Sequence, residues 1–180
     1  MSKLIVFRSY QSILNIHERV LPAAAEVVAP LLASLAGGDD RRWPWESWPP
    51  MKLDGGLQAG SRGGHSMIRY RVTEYVPGRR VEFEFEPMEH LCRFSGRHYF
   101  EVAARPAHTI LRHTIDVETN LANWIYWKIF IERIHDAVIE DAFDKAERFA
   151  GVPHPRKSRW SLYVRFLRWL RSRTTPAVSS

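Results

Sequence analysis

An internal disulfide is closed to this chain: its 180 residues hold one cysteine, Cys92. A lone thiol fits a reducing compartment. No apolar run approaches the roughly 20 residues of a membrane-spanning helix. Leu4 to Phe7 is too short to be the core of a secretory leader, so the expected location is cytoplasmic. Spacings of the HxH and CxxC kind are missing. Gly63-Gly64-His65 is no phosphate loop, because it lacks the Lys-Ser/Thr end and precedes a strand. No Ser-His-Asp set can be assigned, and the basic pattern around Cys92 is not specific enough to mark a nucleophile. No metal and no cofactor are therefore expected.

Acid is absent from residues 152–180. Seven of the 26 basic residues sit there, which leaves 19 bases against 20 acids in the rest. The net charge of +6 therefore belongs to the tail, and residues 1–151 are close to neutral. That distribution argues against a nucleic-acid partner for the body of the chain. The expected division is a domain over 1–151, then a linker and tail helix over 152–180.

Proline and internal glycine are missing between Asn120 and Gly151. Trp127, Ile131, Ile134, Val138, Ala142 and Phe149 recur there at helical spacing. The opposite face carries Glu132, Asp136, Glu140, Asp144 and Glu147 and reads as a solvated stripe. Asn120 can cap this helix, Gly151 can end it and Pro153 stops its continuation. At about 1.5 Å per residue it spans roughly 45 Å.

Most of what precedes it reads as strand. Residues 1–10 are a short extra strand or an arm. Gln11 to Val20 alternates, with Leu14, Ile16 and Val20 on one side and Asn15, His17 and Arg19 on the other. Pro22 opens a helix to about Leu35, kinked or restarted at Pro30. Arg41 to Pro50 mixes three tryptophans with three prolines, a rigid loop whose rings cover one end of the core. Met51 to Leu57 is a short strand. Ile68, Tyr70 and Val72 then alternate with arginines and a threonine, and Val81, Phe83 and Phe85 with glutamates. A turn at Pro77-Gly78 sets Tyr70 opposite Phe85 and Val72 opposite Phe83, with arginines near glutamates outside. His98, Phe100 and Val102 share one face of the next strand, and Leu111, His113, Ile115 and Val117 one face of the last. An apolar sheet face needs a cover, and the long helix is the only element of that length.

In element order, and in three stretches, the chain resembles the START-like (SRPBCC) superfamily, which includes birch-pollen-allergen-like proteins and polyketide cyclase/dehydrase-like proteins. The stretches are Gly63-Gly64-His65-Ser66-Met67-Ile68-Arg69-Tyr70, Val72 to Phe85 around Pro77-Gly78-Arg79, and His135-Asp136-Ala137-Val138-Ile139-Glu140-Asp141. The resemblance covers roughly residues 11–150 and points to a bacterial branch. It implies an α+β helix-grip fold, a curved antiparallel sheet of six or seven strands around the C-terminal helix. The implied function is carriage, sensing or transformation of a hydrophobic small molecule or lipid between sheet and helix. The superfamily has no universal catalytic motif, so the fold does not name a reaction.

Strand parity turns His98 and His113 toward the helix. With Arg105-Pro106 as the hairpin tip they stand directly opposite each other. Such a pair can serve as acid and base or polarise a carbonyl, as in a cyclase or dehydratase. It can equally be a structural pair, or face outward if the register slips by one. Tyr70 can orient a ligand or bond within the core. The expected lining is Tyr70, Phe83, Phe85, His98, Phe100, Leu111, His113, Trp124, Trp127 and Ile131, with Tyr126 and Phe130 crowding the helix start.

The tail, Ser158 to Arg173, sets Trp160, Tyr163, Val164, Phe166, Leu167, Trp169 and Leu170 against Arg165 and Arg168 on a helix. Trp160, Arg165, Phe166, Arg168 and Trp169 are the expected contacts. They suit an anionic membrane surface, the inner face for a cytoplasmic protein, or docking on the chain's own domain or a second subunit. Thr174 to Ser180 is expected to be disordered.

Overall fold

Seven strands form one antiparallel sheet in the order β1-β7-β6-β5-β4-β3-β2. The computed structural model describes residues 10–87 and 93–174. The readings for residues 1–9, Cys92 and 175–180 lie outside it. The strands are β1 (Tyr10–Leu21), β2 (Lys52–Leu53), β3 (Arg62–His65), β4 (Ile68–Val76), β5 (Arg80–Phe85), β6 (Ser95–Ala104) and β7 (Thr109–Asn120). Helix α1 (Ala25–Ala33) follows β1 and contains Pro30 without ending there.

The long helix is α2 (Leu121–Tyr126), a π-helical turn (Trp127–Ile131) and α3 (Glu132–Phe149). Asn120 caps it, its side chain accepting the Asn123 N–H at 2.8 Å. Its buried apolar face is Trp127, Val138, Ile139, Ala142, Phe143 and Ala146. Phe149, expected on that face, is half exposed beneath the Arg41 guanidinium. The wide π turn changes the helix phase at its start. Tyr126 and Phe130 consequently lie against each other at the surface, tilted with 5.2 Å between centroids, and do not line the interior.

The expected β4–β5 pairing holds: Tyr70 lies opposite Phe85 and Val72 opposite Phe83, with Arg71 2.7 Å from Glu84 outside. The connection holds three residues, and a bulge between Val72 and Glu74 takes up the odd one. The β6–β7 pairing differs from expectation. Ala104 pairs with Thr109, so four residues make the turn. The hairpin centre moves by one residue and the register by two. His98 therefore faces Ile115, and Phe100 faces His113. Parity survives, and both histidines still point at the helix.

Strand β1 inverts the usual pattern. Through its middle the apolar side is outside, with Leu14, Ile16 and Val20 each more than half exposed, while Ile13 and Leu21 toward its two ends are buried. Asn15, His17 and Arg19 turn toward α3. The reason is on the helix: Asp136, Glu140, Asp144 and Glu147 form the stripe that β1 meets. Arg19 lies 2.6 Å from Glu140, 3.0 Å from Asp144 and 2.8 Å from Glu147. The stripe is therefore no solvated face. Asp144 and Glu147 are buried, and their other oxygens accept the backbone N–H groups of Ser158 and Arg156.

Helix α4 (Leu162–Thr174) packs on this assembly through Val164, which is buried. Trp160 and Trp48 both donate to Asp141, at 2.8 and 2.7 Å. The Arg168 guanidinium sits 4.1 Å from the Trp160 ring centroid, and it donates to the Ser47 carbonyl. Trp160 and Arg168 thus engage their own chain. Leu162, Phe166, Trp169 and Leu170 stay largely exposed beside Arg165. Among the described residues, no helix is long and apolar enough to cross a membrane.

Candidate functional site

Alternation on β4 to β7 delivers Tyr70, Phe83, His98, Phe100 and His113 to the concave face, and α3 delivers His135. All but His135 are at most 4% exposed. The rings form a continuous row. Tyr70 and His98 are 4.8 Å apart between centroids, His98 and His113 5.7 Å, and His113 and His135 5.0 Å. His98 stacks on Phe83 at 4.8 Å. Tyr70, His98 and His113 are thus brought into one row, although the histidines are diagonal neighbours on their strands. The Tyr70 hydroxyl is already engaged, 3.2 Å from His65 Nδ1.

Several polar atoms in this interior have no hydrogen-bond partner among the described residues. They include His98 Nε2, His113 Nδ1, Trp127 Nε1 and all three nitrogens of the Arg42 guanidinium. Burial drives the His98 and His113 pKa values well below the ordinary imidazole value, so both rings are neutral at pH 7. Arg42 is fully buried, 4.4 Å from the Phe100 ring centroid and 5.6 Å from that of Phe143. Burial lowers its pKa to about 10, against the pull of Asp40, and it stays charged at pH 7.

The tryptophan-rich loop places that guanidinium. Asp40 accepts the backbone N–H groups of Arg42 and Trp43, at 2.9 and 2.7 Å. Lys145 of α3 donates to the carbonyls of Asp40 and Trp43, and Trp48 is held by Asp141. Trp43 and Trp48 are buried and cover that end of the core as expected, while Trp45 is half exposed. Arg42 escaped the sequence reading because a loop has no periodicity to say which side chain turns inward. The only signal was an arginine entering an aromatic segment.

A cleft of about 1090 Å³ opens at the other end, between the tips of β5 to β7 and the start of α2. Phe85 and Phe94 line it together with the charged Arg71, Glu84 and Glu118. Phe85 borders the cleft and also lies 4.9 Å from the His98 ring. Trp127, Trp124 and Ile131 pack with Ile115, Val117, Phe85 and Phe94 at this end. Leu111, also expected in the lining, is fully buried in the main core.

At the β1 side, His17 joins the row, its ring 5.8 Å from that of His135. Burial works against a charge on His17. Its hydrogen bonds to Asp136 (3.0 Å) and Glu140 (2.8 Å) outweigh that and raise its pKa to about 9. Among the described residues, five histidines thus belong to one interior system: His17, His65, His98, His113 and His135.

No protein-family model matches the sequence, and no curated protein matches it significantly. Solved structures do match. A Thermobifida fusca protein solved by NMR shares 16% identity at a TM-score of 0.62, over 81% of this chain and 99% of that one. Norcoclaurine synthase from Thalictrum flavum, in a structure holding dopamine and hydroxybenzaldehyde, shares 10% at 0.60, over 86% and 99%. The di-domain ARO/CYC StfQ of the steffimycin biosynthetic pathway shares 9% at 0.58, over 78% of this chain and 51% of that one. At such identities the likeness is one of fold. Sheet order, long C-terminal helix and these matches agree, and the chain has an α+β helix-grip fold, shared with norcoclaurine synthase and the StfQ cyclase.

Proposed function

We propose that the protein binds a small hydrophobic molecule, aromatic in part and carrying an acceptor oxygen, between its sheet and its long helix. One observation carries this reading: a buried, charged Arg42 guanidinium lies among Phe100 and Phe143 with no hydrogen-bond partner among the described residues. Burying an unpaired charge costs several kcal/mol. A carboxylate, phenolate or carbonyl oxygen would offset that cost, and the aromatic rings would cover the rest of the molecule. Norcoclaurine synthase, with the same fold, holds dopamine and hydroxybenzaldehyde, which are small oxygenated rings.

Native mass spectrometry of the purified protein, with solvent extraction, is expected to reveal a bound compound of this kind. Titration with hydroxybenzaldehyde and hydroxybenzoate, followed by tryptophan fluorescence, gives the affinity. Arg42→Met is expected to weaken binding of the acid about 10- to 100-fold, as loss of a charge-assisted hydrogen bond of about 1.5–3 kcal/mol implies. Equal affinity in a folded variant would refute the role of Arg42. Absence of binding by every aromatic acid and aldehyde tried, with nothing extracted, would refute the site.

Convergence of neutral His98 and His113 beside Tyr70 favours a second reading, cyclase- or dehydratase-like catalysis in the same place. It requires a bound compound to leave chemically changed, and that change to disappear in His98→Leu. The exposed face of α4 supports a separate peripheral role: Leu162, Phe166, Trp169 and Leu170 lie beside Arg165. Co-sedimentation with anionic vesicles is expected for the full chain and is expected to be lost when residues 156–180 are deleted. Vesicle binding unchanged by the deletion, or a dimer formed through this face, would remove the membrane role.

A further inference from the structure

The geometry points to a site for a divalent transition-metal ion, zinc in class, formed by His17, His135 and Asp136 where β1 meets α3. Asp136 Oδ1 lies 3.0 Å from His17 Nε2 and 3.5 Å from His135 Nδ1. The three ligand atoms all fall within 4.8 Å of one another. Tetrahedral zinc with bonds of about 2.0–2.1 Å holds neighbouring ligands roughly 3.3 Å apart, so small side-chain shifts would close the site. Two imidazoles and one carboxylate are a donor set suited to zinc and its neighbours, and too rich in nitrogen for magnesium or calcium.

Two further features separate this cluster from an ordinary ion-pair network. One is its unused acceptor capacity. His135 Nδ1 is buried with no hydrogen bond of normal length, and Asn15 Oδ1 is buried with no donor among the described residues. Asn15 belongs to the cluster, since its Nδ2 donates to Asp136 Oδ1 at 3.1 Å. The other feature is an outer shell. His17 Nδ1 is 2.8 Å from Glu140 Oε1, and Glu140 Oε2 is 2.6 Å from Arg19. A carboxylate that accepts the Nδ1 hydrogen directs Nε2 toward the metal and makes it a better ligand. When the nitrogen–metal bond forms, the proton on Nε2 leaves to solvent, and the imidazole remains neutral with Nδ1–H still donated to Glu140.

The inverted facing of β1 is what brings this set together. An apolar inner face at Asn15 and His17 would have provided no ligands from the sheet. The ion would sit at one end of the interior histidine row, since His135 is 5.0 Å from His113 between ring centroids. The inference does not depend on the proposed small-molecule ligand.

Full-length protein, stripped with a chelator, is titrated with zinc chloride and, in parallel, with magnesium chloride by calorimetry. A one-to-one zinc complex and no magnesium complex are expected. His17→Gln and His135→Gln are each expected to abolish zinc binding, and Glu140→Gln to weaken it about 10- to 100-fold. Cobalt(II) bound to the unaltered protein reads the site without a variant. Intense visible ligand-field bands of a tetrahedral nitrogen–oxygen site are expected, displaced by zinc. No zinc binding by the unaltered chain would overturn the inference. So would binding that survives both histidine variants, or cobalt bands that show a thiolate ligand.

Discussion

Arg19→Met is expected to destabilise the protein by about 3–5 kcal/mol, the range for removing one partner of a buried ion pair. The size follows from what remains. Arg19 is 3% exposed and reaches three carboxylates, two of which, Asp144 and Glu147, have side chains only 4% and 5% exposed. Methionine fills much of the volume and supplies no donor. The two buried carboxylates would then keep only the N–H groups of Ser158 and Arg156 and a distant Arg156 guanidinium. Arg112→Met is the comparison. Its pair with Glu18 on the outer face of the same sheet leaves each side chain 45% exposed, and exposed pairs contribute about 0–1 kcal/mol. Urea unfolding of both variants gives the two numbers side by side. If Arg19→Met shifts the midpoint no more than Arg112→Met does, the buried network does not hold β1 to the helix. The same carboxylates receive backbone donors from the stretch ahead of α4, so limited proteolysis near Arg156 and Lys157 is expected to quicken in Arg19→Met.

That network marks where sequence reasoning stopped. Alternation along β1 separates Leu14, Ile16 and Val20 from Asn15, His17 and Arg19, but alternation cannot say which set faces in. Hydrophobicity alone would bury the aliphatic set. The outcome turned on a second element more than 100 residues away, because the acidic stripe of α3 needed cations more than β1 needed cover. Read together, the basic side of β1 and the acidic side of α3 held that information, though each looks like a solvated face on its own.

Register was legible where a turn had a clear tip. Pro77-Gly78 located the β4–β5 hairpin, and a bulge restored the pairing that the third loop residue would have shifted. Arg105-Pro106 was only the first half of a four-residue turn, and the β6–β7 register moved by two. An even shift preserves facing, so His98 and His113 kept their place inside while losing their direct opposition. Arg42 and the π turn left no periodic trace. One lies in a loop whose path is set by Lys145 and Asp141 of the helix, and the other is a local widening inside an otherwise regular amphipathic pattern.

Acid is expected to unfold this protein more readily than its ion pairs alone would require, because His98 and His113 are buried as neutral rings; His98 is the one to test. His98 is 4% exposed, stacked on Phe83 and bordered by Phe85, Tyr70 and His113. Burial dominates its pKa, and the fields of His65 and His135 add to it, all in the same downward direction. The unfolded chain therefore takes up this proton near the ordinary imidazole pKa of about 6.5, and the folded chain does not. The stabilising contribution is complete above that pH. It falls by about 1.4 kcal/mol for each pH unit below it, until the folded pKa is reached. His65 adds a further, smaller share. It packs against Trp43 and Tyr70, and burial, with the fields of His135 and Arg69, lowers its pKa to about 3. Its contribution therefore runs out between pH 6.5 and about 3. Urea midpoints measured from pH 7.5 down to about 4.5 are expected to fall steeply. His98→Phe should flatten that fall by about 1.4 kcal/mol per pH unit below 6.5, even if its stability at pH 7.5 is lower. Parallel pH profiles for the variant and the unaltered chain would mean that His98 already carries a proton, or finds an acceptor, in the folded state. A ring so placed would have no free nitrogen to offer a bound molecule, and the interior would lose one of its unpartnered aromatic nitrogens.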